Sequence, residues 1–226
     1  MLKRQRGNRQ RGLAALDLAA LDLAAFGLAA LLGLDASAAP AAVLVNELLA
    51  NPGSDWNGDG AVDIKLDEWV EVVNTGPESV DLTGYFLRDG TGDTPHLGLS
   101  GVLAPGAVAL FHGSDAVAWQ EANDAGTSGL SLNNGGDTVQ LIVPDPNDPL
   151  LYLVVDSRTY LPHEGEPERA SGLLEGVWTL FDSLNVYGGS IVPVGTGCAP
   201  TPGLANVCEA TPVVGATWGG LKAGFH

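Results

Sequence analysis

"VLVNELLANPGSDWNGDGAVDIKLDEWVEVVN" runs from Val43 to Asn74. Two short apolar runs enclose a Gly-, Asn- and Asp-rich stretch. "AVLVNELL" (Ala42–Leu49) reads as a strand that "ANPGS" breaks, and "EWVEVVN" (Glu68–Asn74) reads as a second. Runs this short, β-branched and bounded by turn residues do not suit helices. The segment therefore predicts two strands joined by a long acidic loop.

The same pattern extends downstream. "TGPES" ends the second strand, and "VDLTGYFLRDG" (Val80–Gly90) reads as a third. "HLGLSG" (His96–Gly101) and "VALFHG" (Val108–Gly113) flank the turn-forming "LAPGA". "LSL" (Leu130–Leu132) and "DTVQLIV" (Asp137–Val143) are joined by "NNGG", where Asn134-Gly135 suits a tight hairpin turn. Val139, Leu141 and Val143 share one face of their strand, and Thr138, Gln140 and Ile142 the other. "LLYLVVDSRTY" (Leu150–Tyr160) is apolar on both faces of its first half, which predicts a central strand. "GSDAVAWQEANDAG" (Gly113–Gly126) is the one expected helix, capped by Ser114 or Asp115. Short strands with Gly- and Pro-rich turns predict an all-β sandwich or barrel.

The 226 residues carry a formal charge of -17, with a pI of about 4.2. Such a surface repels phosphate backbones and attracts cations, so nucleic acid is not an expected partner. Residues 1–38 read as a signal peptide. They comprise a basic start (Lys3, Arg4, Arg6, Arg9, Arg11), an apolar run (Leu23–Leu34) and the small-residue cleavage site Ala36-Ser37-Ala38. The apolar run is shorter than the ~20 residues a membrane-crossing helix needs. A secreted or cell-surface protein with no stable membrane span is expected. Cleavage there removes five basic and three acidic residues, so the remainder is at -19. Cys198 and Cys208 are the only cysteines, and in an oxidising compartment they are expected to pair. The domain is expected over residues 41–208, followed by a flexible tail over 209–226. In that tail Trp218, Leu221 and Phe225 suggest a docking or sorting element.

The order of these pieces resembles the lamin-tail domain family. The resemblance rests on the opening stretch continued to "FLRDG", then "GVLAPGAVALFHG", "LSLNNGGDTVQLIV", "DSRTY", "EPERA", "GVWTLFDS" and "TPGLAN", from about Val43 to Asn206. It implies an immunoglobulin-like β-sandwich, of the secreted bacterial branch, in which the domain often serves as a non-catalytic module. It carries no shared catalytic residue set to transfer.

Catalytic signatures are sparse. His96, His112, His163 and His226 are not at metal-ligand spacing, "HEGEPER" is not H-E-x-x-H, and neither a G-x-S-x-G elbow nor a P-loop occurs. The pairs Glu164/Glu166 and Asp67/Glu68 read as solvated turns and strand ends, and Arg169 as a structural residue. The acidic loop is more specific. Counted from Asp55, calcium-loop positions 1, 3, 5 and 9 are Asp55, Asn57, Asp59 and Asp63, Gly60 stands at the turn, and Ala61 offers a carbonyl. Position 12 is Leu66, so Asp67 or Glu68 would have to complete the set. The flanks are strands, which excludes an EF-hand. One weakly bound calcium ion is expected, against the alternative of a turn whose side chains bond their own backbone. Trp56 in this loop either stacks on a sugar or protein partner or packs on the sandwich edge. The functional expectation is a non-catalytic extracellular binding, adhesion or scaffolding module, whose partner is a protein or glycan. Its rival is a metal-dependent phosphohydrolase or nuclease, with Asp55, Asp59 and Asp63 around a catalytic ion and Lys65 as its one nearby cation.

Overall fold

The computed structural model describes residues 43–208. The expected signal peptide and the tail lie outside the described residues. The chain forms β1 (Val43–Leu49), β2 (Trp69–Asn74), β3 (Val80–Asp81), β4 (Phe86–Asp89), β5 (Leu97–Gly98), β6 (Val102–Leu103) and β7 (Val108–His112). Helix α1 (Gly113–Ala122), β8 (Asp137–Asp145), β9 (Asp148–Tyr160), β10 (Ala170–Leu174) and β11 (Val177–Phe181) follow. One sheet has the order β11-β10-β1-β2-β7 and the other β5-β4-β8-β9, while β3 and β6 form a separate pair. All registered pairs of these strands are antiparallel. The expected all-β, immunoglobulin-like sandwich is the fold.

Alternation sets the core. Val43, Val45, Val70 and Val72 from the first sheet meet Leu87, Leu97, Val139, Leu141 and Tyr160 from the second. A bulge between Val45 and Glu47 shifts the phase, so that Leu48 also faces this core while Glu47 and Leu49 turn to the opposite face. That opposite face is covered as well. Leu49, Trp69, Ala170 and Phe181 pack there with Cys198, and Trp56 and Cys208 rest against them.

Several expectations are corrected. "VDLTGYFLRDG" is not one strand: the turn at Gly84 (φ 90°) splits it into β3 and β4, which belong to different sheets. "LSL" is irregular rather than extended, although Leu130 and Leu132 are buried. Its path is held by Gln120 of α1, which donates to His96 O and Gly129 O (both 2.8 Å) and accepts from Gly129 N (3.1 Å). The helix ends at Ala122, and His112 rather than Ser114 or Asp115 is its N-cap; Asp115 instead accepts the His112 N–H at 2.8 Å. The β9 strand is not central. It pairs only with β8, at the sheet edge, and leaves Leu150, Leu151, Leu153 and Val154 exposed.

Candidate functional site

The loop between β1 and β2 is built by its own side chains. Asp55 Oδ1 accepts the N–H groups of Gly58 (2.8 Å) and Asp59 (3.1 Å), and its Oδ2 that of Gly60 (2.9 Å). Asn57 Oδ1 accepts Asp59 N–H, and Asp59 Oδ1 accepts Ala61 N–H, both at 2.9 Å. Asp63 Oδ1 takes Lys65 N–H (2.8 Å) and Leu66 N–H (3.0 Å), and these two bonds hold the Asp63 carboxyl below the usual carboxylate range. Gly58 and Gly60 adopt positive φ (75° and 90°), which lets the chain wind tightly enough for these contacts. Asp55, Asp59, Ala61 and Asp63 are exposed and Asn57 is half-buried.

Asp67 and Glu68 stand apart from this set. Asp67 is fully buried, and both its oxygens are committed to the loop backbone. Oδ1 accepts from Trp56 N (2.8 Å) and Asn57 N (2.9 Å), and Oδ2 from Asp63 N (2.7 Å). It ties the start of the loop to its end. Glu68 points the other way and accepts Leu132 N–H at 3.3 Å; burial pushes its carboxyl up to about 8. Neither residue is on a solvated strand end, as the sequence suggested. Glu164 is likewise buried and ion-paired with Arg158, while Glu166 is exposed. Among the described residues, no three His, Cys, Asp or Glu side chains are gathered closely enough to hold a metal ion. A cation at this loop would therefore have Asp55, Asn57, Asp59, Asp63 and the Ala61 carbonyl to draw on, with no carboxylate in position 12. Trp56 packs tilted against Trp69, with ring centroids 6.0 Å apart, and its Nε1–H reaches Glu168 at 3.1 Å, so it anchors the loop to the sheet. Lys65 Nζ donates to Thr127 O at 3.0 Å, on the far side of the loop.

The segment after β11 crosses the outer face of the first sheet. Thr201 donates from N (3.1 Å) and from Oγ1 (2.7 Å) to Glu47, Gly203 N donates to Glu71 at 2.6 Å, and Asn206 Nδ2 donates to Asn46 O at 3.1 Å. Asn46 also donates to Glu71. Cys198 and Cys208 form the expected disulfide, with Cα atoms 5.2 Å apart.

A family model described as Lamin Tail Domain matches residues 36–161, more than half of the chain. The chain belongs to the lamin tail domain family. No curated protein matches it. The lamin-tail match covers β1 to β9, including the acidic loop, and stops one residue after β9. Strands β10 and β11, the segment over Glu47 and Glu71, and the disulfide lie beyond it, yet β10 pairs directly with β1. Among the described residues no helix is long and apolar enough to cross a membrane.

The sequence reading missed two features here. One is the buried pair Glu47 and Glu71, whose only signal is a single acid within each of two otherwise largely apolar strands. The other is the near-complete burial of Arg169 between two loops; the sequence reading names it only as a structural residue.

Proposed function

We propose that this lamin-tail module is exported, of the bacterial type, and serves without catalysis in extracellular binding, adhesion or scaffolding, with its Asp55–Asp63 loop taking one calcium ion. The observation that supports this best is the loop itself. Three exposed carboxylates and an amide alternate along a tightly wound backbone, and the one lysine among them is drawn away to Thr127. Hard oxygen donors at alternating positions around a glycine turn suit calcium. The empty twelfth position lowers affinity, to a Kd on the order of 10⁻⁴–10⁻³ M, which is useful only where calcium is abundant. The acidic surface disfavours phosphate substrates and hence the hydrolase reading.

Calcium that binds only the folded state stabilises it by about 2.7 kcal/mol at a hundredfold excess over Kd. The melting temperature should rise through low-millimolar calcium, return with chelator, and lose the response in Asp59→Ala. A melting temperature indifferent to calcium and chelator removes calcium from the reading. Turnover of phosphate esters or nucleic acid with calcium, magnesium or manganese, abolished by Asp59→Ala, replaces the binding module with the enzyme.

A further inference from the structure

A concavity of about 640 Å³ opens between the loop after β9 and the segment after β11. Leu161, Pro162, His163 and Glu166 line it from one side, Tyr187 and Ile191 from the other, and Arg169 reaches its wall. That volume suits a small organic molecule or the end of a peptide, whose pockets run to roughly 300–1,000 Å³. Apart from Leu161, these residues lie past the family match.

Arg169 decides the chemistry. Its residue is only 9% exposed, so its guanidinium has lost most of its water. The Nε–H goes to Asn185 O (2.8 Å), one Nη1–H to His163 O (2.9 Å), and one Nη2–H to Asn185 Oδ1 (3.4 Å). All three acceptors are neutral, and among the described residues no carboxylate forms an ion pair with Arg169. A guanidinium has five N–H groups, so one on each terminal nitrogen is left over. Burying a cation without an anion is costly, and this chain has 27 carboxylate side chains from which a partner could have been drawn. Arg158, by contrast, is paired with Glu164.

Apart from Glu166, the rest of the wall is apolar or aromatic. Tyr187 stacks on His163 with centroids 4.6 Å apart, and Arg169 Cζ lies 5.3 Å from the Tyr187 ring centre. His163 Nε2–H donates to Pro193 O at 3.0 Å, which fixes the ring at the pocket edge. Leu161 and Ile191 are both exposed at the rim.

We propose that this pocket binds a carboxylate carried on an apolar body, with the two spare Arg169 N–H groups taking the carboxylate and Leu161, Tyr187 and Ile191 taking the body. The proposal rests on the reading of the chain as a binding module and gives it a ligand class. It does not involve the calcium loop, so the calcium test and this one fail separately. The carboxylate belongs either to a small free acid or to the C-terminus of a polypeptide ending in an apolar residue. Exposed Glu166 opposes the anion and sets a salt-dependent limit on affinity.

The test is calorimetric titration of the full chain with four probes: N-acetyl-phenylalanine, its amide, an octapeptide ending in phenylalanine, and the same octapeptide amidated. At least one acid should bind about tenfold more tightly than its amide. Binding of the octapeptide acid alone assigns a polypeptide terminus, and binding of the single-residue acid alone assigns a small free acid. Glu166→Gln should tighten acid binding by a few fold, and Ile191→Asp, at an exposed rim position, should abolish it without changing the melting temperature. Arg169→Gln should abolish it too, but that change also frees three backbone and amide acceptors, so the two surface variants carry the test. Acids and amides that bind equally, or neither binding at concentrations on the order of 10 mM, overturn the proposal.

Discussion

Glu47 and Glu71 sit opposite each other on β1 and β2, with no measurable exposure. Burial raises the carboxyl of each from about 4.5 to about 7, and the repulsion of Glu71 adds to the effect on Glu47. Glu68 is raised to about 8 in the same way. The folded chain therefore holds protons that the unfolded chain has released. These groups favour folding most below about pH 4.5, and that advantage is lost as pH rises to about 8. A rise from about 4.5 to about 7 in one buried carboxyl corresponds to roughly 3 kcal/mol. Urea unfolding should give a lower midpoint at pH 8 than at pH 5.5, with a flatter profile in Glu71→Gln; a midpoint that rises over this interval refutes the assignment. Asp67 makes a different prediction. Asp67→Ala leaves the N–H groups of Trp56, Asn57 and Asp63 without their acceptor, and it should cost about 2–4 kcal/mol in the same assay. A loss below about 1 kcal/mol would mean that the loop is closed by other contacts. In "EWVEVVN" Glu71 lies between the core-facing Val70 and Val72 and so turns to the face away from the core. The alternation could not tell that this face is covered, because the cover comes from Thr201–Asn206, more than a hundred residues later.

Strand β9 shows how an apolar run can be legible as a strand and misleading about its place. "LLYLVV" is extended, as expected, but its outer neighbour is missing. The β8–β9 hairpin runs on past the end of β4, whose pairing with β8 stops at Ile142. Tyr152 still finds Phe86, at 5.7 Å between centroids, while Leu150 and Leu151 find nothing comparable and remain 86% and 55% exposed. Pro144 and Pro149 within this hairpin were the available signal, since a strand residue without an N–H belongs at an edge. An exposed apolar edge favours self-association. Leu151→Lys should leave the melting temperature nearly unchanged and reduce concentration-dependent association in sedimentation velocity; a large drop in melting temperature would show that Leu151 is packed. Strands β10 and β11 were not picked out by alternation. Their two-residue turn is Glu175-Gly176, with positive φ at both (51° and 81°). Glutamate is an unusual residue for that geometry, so the usual Asn-Gly or Asp-Gly signal is absent.

At the scale of the molecule, the family match ends at Leu161 while the folded unit continues to Cys208. The closing segment supplies two strands, the cover over Glu47 and Glu71, and every lining residue of the carboxylate pocket but Leu161. Cys198 anchors it in the outer cluster beside Trp69 and Phe181. Replacing both cysteines with serine should cost about 2–3 kcal/mol, the loop-closure value for ten residues of separation. An unfolding midpoint unchanged on reduction would mean that the segment is held by its hydrogen bonds alone. The long acidic loop between β1 and β2 is where the sequence puts it, because its run of Gly, Asn and Asp is local in sequence. Only the inward turn of Asp67 and Glu68 depended on the tertiary fold. Hydrogen exchange at the amides of Gly58, Asp59, Gly60 and Ala61 tests the calcium reading most directly, since each of these N–H groups bonds to Asp55, Asn57 or Asp59. With calcium at about ten times Kd, their exchange should slow by up to about tenfold in the native chain and not in Asp59→Ala. Exchange rates identical with calcium and with chelator would contradict it.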